Sequence, residues 1–250
     1  NTERKMCGAV KKKRRRVWRS TVAVGCSGVL LSWATGRPKE RLFRKPCVLV
    51  VAHPDDEAMF FWPSLREVTH VLTLSNGGFA GKGAVRSAEM ARFAERYGVE
   101  ARVVDDARLA DGADWNESVV AHVVDDYLAD LDAFSLVTFD RFGASGHPNH
   151  VATAAGVRAL SFSYYELRTE RSLFARFAGP VTALLFPRKG DVVFFNARPW
   201  DTWRALSVHA SQFVWYRKLH VWFSAYTYVN HLVFVKRRSS CRTASSPQSI

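Results

Sequence analysis

Residues 48–63, VLVVAHPDDEAMFFWP, decide how the chain is read. Val48, Leu49, Val50 and Val51 form an apolar, largely β-branched run of the kind that fills a buried strand. The run empties directly into His53, Pro54, Asp55, Asp56 and Glu57 before helical spacing resumes at Ala58. Metal-capable and proton-accepting side chains therefore stand at the carboxyl end of a strand, the edge of an open α/β sheet where ligands bind. The plainer alternative is that Asp55 or Asp56 caps the helix that follows.

Outward from this stretch, short apolar strands alternate with helical segments. Strands are expected over 47–52, 71–75, 99–105 and 135–139, with later candidates at 181–186 and 191–196. Apolar residues at helical spacing predict helices over 84–97, 117–131 and 151–162. The succession predicts an α/β fold, a Rossmann-like and mostly parallel sheet with helices on both faces, in a single domain. Residues 207–234 read as one last large element in which Phe213, Trp215, Tyr216, Trp222, Phe223, Tyr226, Tyr228 and Phe234 are interspersed with Arg217, Lys218, His220 and His231. Rings beside cations suit a membrane interface; packing against the sheet is the competing explanation.

A net charge of +13 over 250 residues resembles a nucleic-acid signal until it is located. Fourteen Lys/Arg and two Asp/Glu fall within residues 1–45, a net of +12, which leaves the remainder at +1. The arm suits anionic lipid, nucleic acid or a targeting receptor equally well on charge. No GxGxxG follows the first strand, and the basic residues lie outside the predicted core, so a nucleotide or nucleic-acid binding module is the lesser alternative and no nucleic-acid partner is expected. Residues 20–36 are uncharged, and as a helix these 17 residues span about 25 Å against a hydrocarbon core of about 30 Å. The segment is a marginal membrane span, with a surface-bound or targeting segment and a soluble arm as alternatives. The Ser-rich tail within 236–250 reads as disordered. Cys7, Cys26, Cys47 and Cys241 form no CxxC or Cys/His zinc spacing, so neither a disulfide scaffold nor a structural zinc site is expected.

A second motif follows the strand at 135–139: Asp140, a loop carrying Gly143, Ser145 and Gly146, then His147, Pro148, Asn149 and His150. His53 and Asp56 from one loop and His150 from the other make a 2-His-1-carboxylate set that leaves positions open for water and substrate, the layout of a catalytic zinc site, although other divalent metals suit it. Asp55 cannot readily share a metal with adjacent Asp56 and is free to accept a proton from water. His147, close by and not needed as a ligand, can stabilise an oxyanion. The reaction class this predicts is metal-assisted hydrolysis of an acyl bond.

At these residues the chain resembles the LmbE/PIG-L family of zinc-dependent de-N-acetylases. The resemblance is carried by AHPDDE at 52–57 with HPNH at 147–150. AHPDDEAMFF, VTFD followed by SGHPNH and a helical RAL within 137–160, and SQFVWYRKLHVWFS at 211–224 are similar to its lipid-acting eukaryotic branch. The resemblance spans about 46–235 and implies His53, Asp56 and His150 as Zn2+ ligands, Asp55 as general base and His147 as transition-state stabiliser. It implies that Arg86, within GxxRxxE at 83–89, and Asp111 hold sugar or headgroup hydroxyls; an ion pair of Arg86 with Glu89 is the alternative. Asp140 and Ser145 are counted with the substrate-contacting set. Ser145 stands where bacterial relatives carry a tyrosine, and Asn149 replaces the aspartate of HPDH. The implied activity is removal of the acetyl group from N-acetylglucosaminyl-phosphatidylinositol, a glycolipid of anchor biosynthesis, at the cytoplasmic face of the endoplasmic reticulum membrane. A soluble N-acetylglucosamine conjugate is the alternative substrate.

Overall fold

The computed structural model describes residues 43–178, 181 and 192–237, all within one compact unit, Lys39–Ile250. The basic arm, the 20–36 segment, most of the strand candidate at 181–186 and the tail beyond 237 lie outside the described residues. Along the chain the helices are α1 (Asp56–Phe60), α2 (Gly83–Tyr97), α3 (Glu117–Leu128), α4 (Gly143–Gly146), α5 (Pro148–Ala159), α6 (Leu173–Phe177), α7 (Pro199–Leu206), α8 (Trp215–Phe223) and α9 (Ala225–Tyr228). The strands are β1 (Cys47–Val51), β2 (His70–Thr73), β3 (Glu100–Val103), β4 (Ser135–Phe139), β5 (Tyr164–Leu167), β6 (Val192–Phe195) and β7 (Val229–Val235).

β1 is buried at every position because both faces of the sheet are covered. Side chains alternate across a strand, so Leu49 and Val51 join Met90 and Phe93 of α2 on one face. Val48 and Val50 join Val120 and Val124 of α3 and Val157 of α5 on the other. Each such fully buried aliphatic side chain contributes about 1.5–3 kcal/mol. Among the described residues the sheet has seven strands in the order β3-β2-β1-β4-β5-β7-β6. The pairs from β3 through β5 are parallel, whereas β7 runs antiparallel to both β5 and β6.

The chain builds outward from β1 to β3 and then returns to the other side of β1 with β4. Such a reversal opens a crevice between the carboxyl ends of the two strands. Both sequence motifs leave from those ends, which is why loops almost a hundred residues apart in sequence share one site.

The Rossmann-like sheet with helices on both faces is as expected, and β4 falls where predicted. Two features differ. β5 is a four-residue strand that the sequence pattern does not mark, and 207–234 is not one element. The chain turns extended at Ser224, whose hydroxyl accepts the Tyr226 N–H at 3.3 Å, and after α9 it enters β7. Asn230 secures that strand by accepting the Ser64 N–H at 3.1 Å and donating to the Phe60 carbonyl at 2.7 Å.

Candidate active site

The loop after β1 is held in an unusual backbone conformation. Asp55 has φ 122° and ψ −18°, a region that costs a non-glycine residue on the order of 1–3 kcal/mol. Its carbonyl accepts the Ala58 and Met59 N–H groups at 3.1 and 2.9 Å, and its own N–H donates to Glu57 Oε2 at 3.1 Å. Glu57 is fully buried, with its other oxygen 2.6 Å from His209 Nε2. Neither aspartate is a helix cap through its side chain. Asp55 makes no capping bond, and Asp56 Oδ2 folds back to accept the Ala52 and His53 N–H groups at 3.2 and 2.9 Å.

The loop after β4 lies directly against α5. At Gly143, with φ +63°, a Cβ would come within 2.7 Å of His150 Cβ and 3.0 Å of the Val151 nitrogen, so a residue without a side chain is required. His147 caps α5 through Nδ1, which accepts the Asn149 N–H at 3.2 Å. That use of the lone pair places the proton of the neutral ring on Nε2. The His150 ring stacks on Phe139 at 4.4 Å and 7°, with Nδ1 3.0 Å from the Gly143 carbonyl and 3.2 Å from Ser145 Oγ. Those partners fix the Nδ1–H tautomer and leave the Nε2 lone pair available to a metal ion.

His150 Nε2 lies 3.2 Å from Asp56 Oδ1, and His53 Nδ1 lies 3.7 Å from Asp56 Oδ2. A lone pair facing a carboxylate oxygen at such range calls for a cation between them, either a proton or a metal ion. Burial opposes charge on His53, but hydrogen bonds to Asp111 and Asp56 outweigh it and push its pKa up to about 9. Burial likewise opposes the Asp56 carboxylate, yet the charges and hydrogen bonds of His150 and His53 hold it well below the usual range. His147 is pushed down, first by burial and then by the charges of His53 and His150. Nitrogen atoms of His53, His147 and His150 also lie within 4.8 Å of one another. Two donor sets therefore overlap, the expected pair of histidines with Asp56 and a three-histidine set, and both have the chemistry of a divalent-metal site.

Arg86 is buried and forms no ion pair with Glu89. Its guanidinium donates to the Gly77 carbonyl at 3.0 Å, the Pro54 carbonyl at 2.9 Å and Asp55 Oδ1 at 3.4 Å, and lies 3.6 Å from Asp111 Oδ2. Glu89 instead accepts from the Ser211 N–H and hydroxyl, each at 2.7 Å. From α8, Arg217 donates to the second oxygen of Asp55. The Arg217–Asp55 and Glu57–His209 pairs escaped the sequence reading, since their partners are brought together only by the fold.

A cleft of about 790 Å3 opens onto this cluster. His53, Asp55, Asp56, Arg86, Asp111, Ser145, His147 and His150 line its floor, and Met59, Phe60, Phe177, Leu219 and Phe223 contribute an apolar wall. Asp140, expected to contact substrate, does not line it. Its carboxylate accepts from the Phe142 N–H and from the Thr169 N–H and hydroxyl, which makes it a brace for the loop behind the cleft.

The PIG-L family model, described as GlcNAc-PI de-N-acetylase, matches residues 48–161. A probable N-acetylglucosaminyl-phosphatidylinositol de-N-acetylase of Schizosaccharomyces pombe is 31% identical over 213 residues, covering 75% of this chain and 86% of that one. The N-acetylglucosaminyl-phosphatidylinositol de-N-acetylase of Bos taurus is 30% identical over 210 residues, covering 75% and 83%. Among solved structures, the N,N'-diacetylchitobiose deacetylase from Pyrococcus horikoshii has the same fold, with a TM-score of 0.55 at 14% identity, covering 76% of this chain and 84% of that one. An antimicrobial A40926 pseudoaglycone deacetylase gives 0.52 at 14% identity, covering 78% and 100%. From its sequence relatives, its HPDDE and HPNH loops and the sheet that joins them, the chain belongs to the PIG-L (GlcNAc-PI de-N-acetylase) family.

Proposed function

We propose that the protein hydrolyses the acetamide of N-acetylglucosaminyl-phosphatidylinositol, yielding acetate and glucosaminyl-phosphatidylinositol. The observation that carries the reading is the Asp55 carboxylate, gripped by two arginines, beside the His53–Asp56–His150 donor set on the floor of an apolar-walled cleft. The names of the sequence relatives support the lipid substrate.

His53, Asp56 and His150 would hold Zn2+ or another divalent ion, which would supply Lewis acidity toward the acetamide carbonyl and the attacking water. Asp55 takes the proton from that water as oxygen bonds to the carbonyl carbon. Arg86 and Arg217 keep its carboxylate aimed into the cleft, so little is lost to rotation at the moment of reaction. His147, already using Nδ1 as the α5 cap, presents Nε2–H as a hydrogen-bond donor to the oxygen that gains charge. Burial, followed by the charges of His53 and His150, lowers its pKa and so favours the neutral ring, which still donates. The C–N bond then breaks as Asp55 passes its proton to nitrogen, leaving acetate and the free amine.

A lipid substrate requires that the enzyme work at a membrane, and this reading places the catalytic domain at the cytoplasmic face of the endoplasmic reticulum. Among the described residues no helix is long and apolar enough to cross a membrane. Acetate release from lipid-linked against water-soluble N-acetylglucosamine substrates tests the proposal. A strong preference for the lipid is expected; a preference for the soluble sugar would overturn it.

A further inference from the structure

α8 is an amphipathic helix with its apolar side turned outward. Val221 is fully buried, Arg217 reaches in to Asp55 and His220 contacts the Met59 carbonyl at 3.2 Å, which defines the inner face. The opposite face carries Trp215 at 72% exposure, Tyr216 at 56%, Leu219 at 48% and Phe223 at 56%. On α6, Phe174 is 73% exposed and Phe177 48%. Exposed apolar side chains gathered on neighbouring elements mark an interaction surface rather than ordinary scatter.

The surface is continuous with the site. Phe177, Tyr216, Leu219 and Phe223 are at once exposed and part of the cleft wall, so whatever covers the patch also meets the cleft mouth. Its charge is mainly positive: Arg171 and Arg176 lie in residues 171–178 and Lys218 on α8, with Glu170 just before the first stretch and Arg217 already paired with Asp55. Lys218 lies 5.3 Å over the Phe213 ring, and Arg171 5.0 Å over Phe142. Rings interspersed with cations match a headgroup layer, where aromatic side chains sit at the interface while cations meet phosphates.

We propose that α6 and α8 dock the catalytic domain on an anionic phospholipid bilayer, with the cleft mouth opening into the headgroup layer so that a glycolipid enters without leaving the membrane. The proposal rests on the lipid reading of the function for its purpose, although docking can be measured without turnover. Arg217 makes α8 do two things, since the helix whose outer face meets lipid also positions Asp55 from its inner face.

The test uses the full chain with vesicles of phosphatidylcholine and phosphatidylserine whose acyl chains are brominated near the headgroup. Bromine quenches tryptophan only at close range, so the wild type minus Trp215→Phe difference reports Trp215 alone. That difference emission should be quenched by the brominated vesicles. Lys218→Gln should weaken binding to anionic vesicles about fivefold. The pair Phe174→Ser with Trp215→Ser, neither of which lines the cleft, should cut turnover of vesicle-borne glycolipid at least about tenfold. The same pair should spare a short-chain, monomerically dissolved form of the glycolipid, with an unchanged melting temperature. Unquenched Trp215 emission would overturn the proposal. Undiminished vesicle binding by the Phe174→Ser, Trp215→Ser pair, with loss of self-association instead, would also overturn it. Quenching without acetate release from any substrate would contradict the proposed activity and leave docking standing.

Discussion

Asp55 and Arg217, 162 residues apart in the chain, form an ion pair in the cleft. With Arg86 on its other oxygen, the Asp55 carboxylate is gripped by two guanidiniums contributed by α2 and α8. Asp55→Asn should retain metal and fold while turnover falls by about 10²-fold to 10⁴-fold, the usual cost of losing a general base. Unchanged turnover would remove Asp55 from the reaction.

Arg217→Ala should act on position rather than on binding. A displacement of about 1 Å at a reacting group can cost about 10²-fold, so kcat should fall on that scale with little change in KM. Arg217→Lys, which keeps the charge and loses the fork, should recover part of it. A rise in KM alone would instead make Arg217 a substrate contact.

Metal content separates the two overlapping donor sets. His150→Ala should lose the ion under either. His147→Ala should keep it if Asp56 is the third ligand, because the His147 Nδ1 lone pair is committed to capping α5. Elemental analysis of the two variants reads the answer directly, and loss of the ion from His147→Ala would establish the three-histidine set.

How much of this was legible beforehand depends on range. β1 and β4 are apolar runs that announce themselves, and the polar residues that follow are adjacent in sequence, so the His53, Asp55, Asp56, His147 and His150 cluster could be read from two short motifs. Arg86 was legible as a residue but not as a contact: Glu89 is its neighbour on one helix face, yet Glu89 is taken up by Ser211 and Arg86 turns to Pro54 and Asp55. Nothing periodic links Glu57 to His209 or Asp55 to Arg217, so those pairs had no signal. β5 is held between β4 and β7, and β7 between β5 and β6, long-range pairings that four residues such as YYEL do not encode locally.

Binding of the ion should be proton-coupled. His53, held at about 9 in the metal-free site, must give up a proton when a metal takes its nitrogen, so apparent affinity should rise about tenfold per pH unit up to that value. For the metal-free protein the sign is opposite. A raised pKa contributes stability that is fully present below the ordinary 6.5 and is lost as pH rises through about 9. Thermal melts of chelated protein should therefore fall across that window, and a flat profile would show that His53 is not held charged.

The Glu57–His209 pair is sealed from solvent on both sides. Burial opposes charge on His209, but Glu57 outweighs it and raises its pKa. His209→Ala should leave a buried carboxylate without its partner and cost about 3–5 kcal/mol. Because Glu57 also holds the Asp55 N–H, activity measured well below the melting temperature should drop as well. Full stability in that variant would contradict a charged pair.

Acetate release from N-acetylglucosaminyl-phosphatidylinositol, measured before chelation, after it, and after zinc is returned, decides whether the cleft is a metal-dependent deacetylase site. Release should stop with the chelator, return with zinc, and fall by about 10²-fold to 10⁴-fold with Asp55→Asn. Release that persists without any divalent metal, or undiminished release by Asp55→Asn, would contradict it.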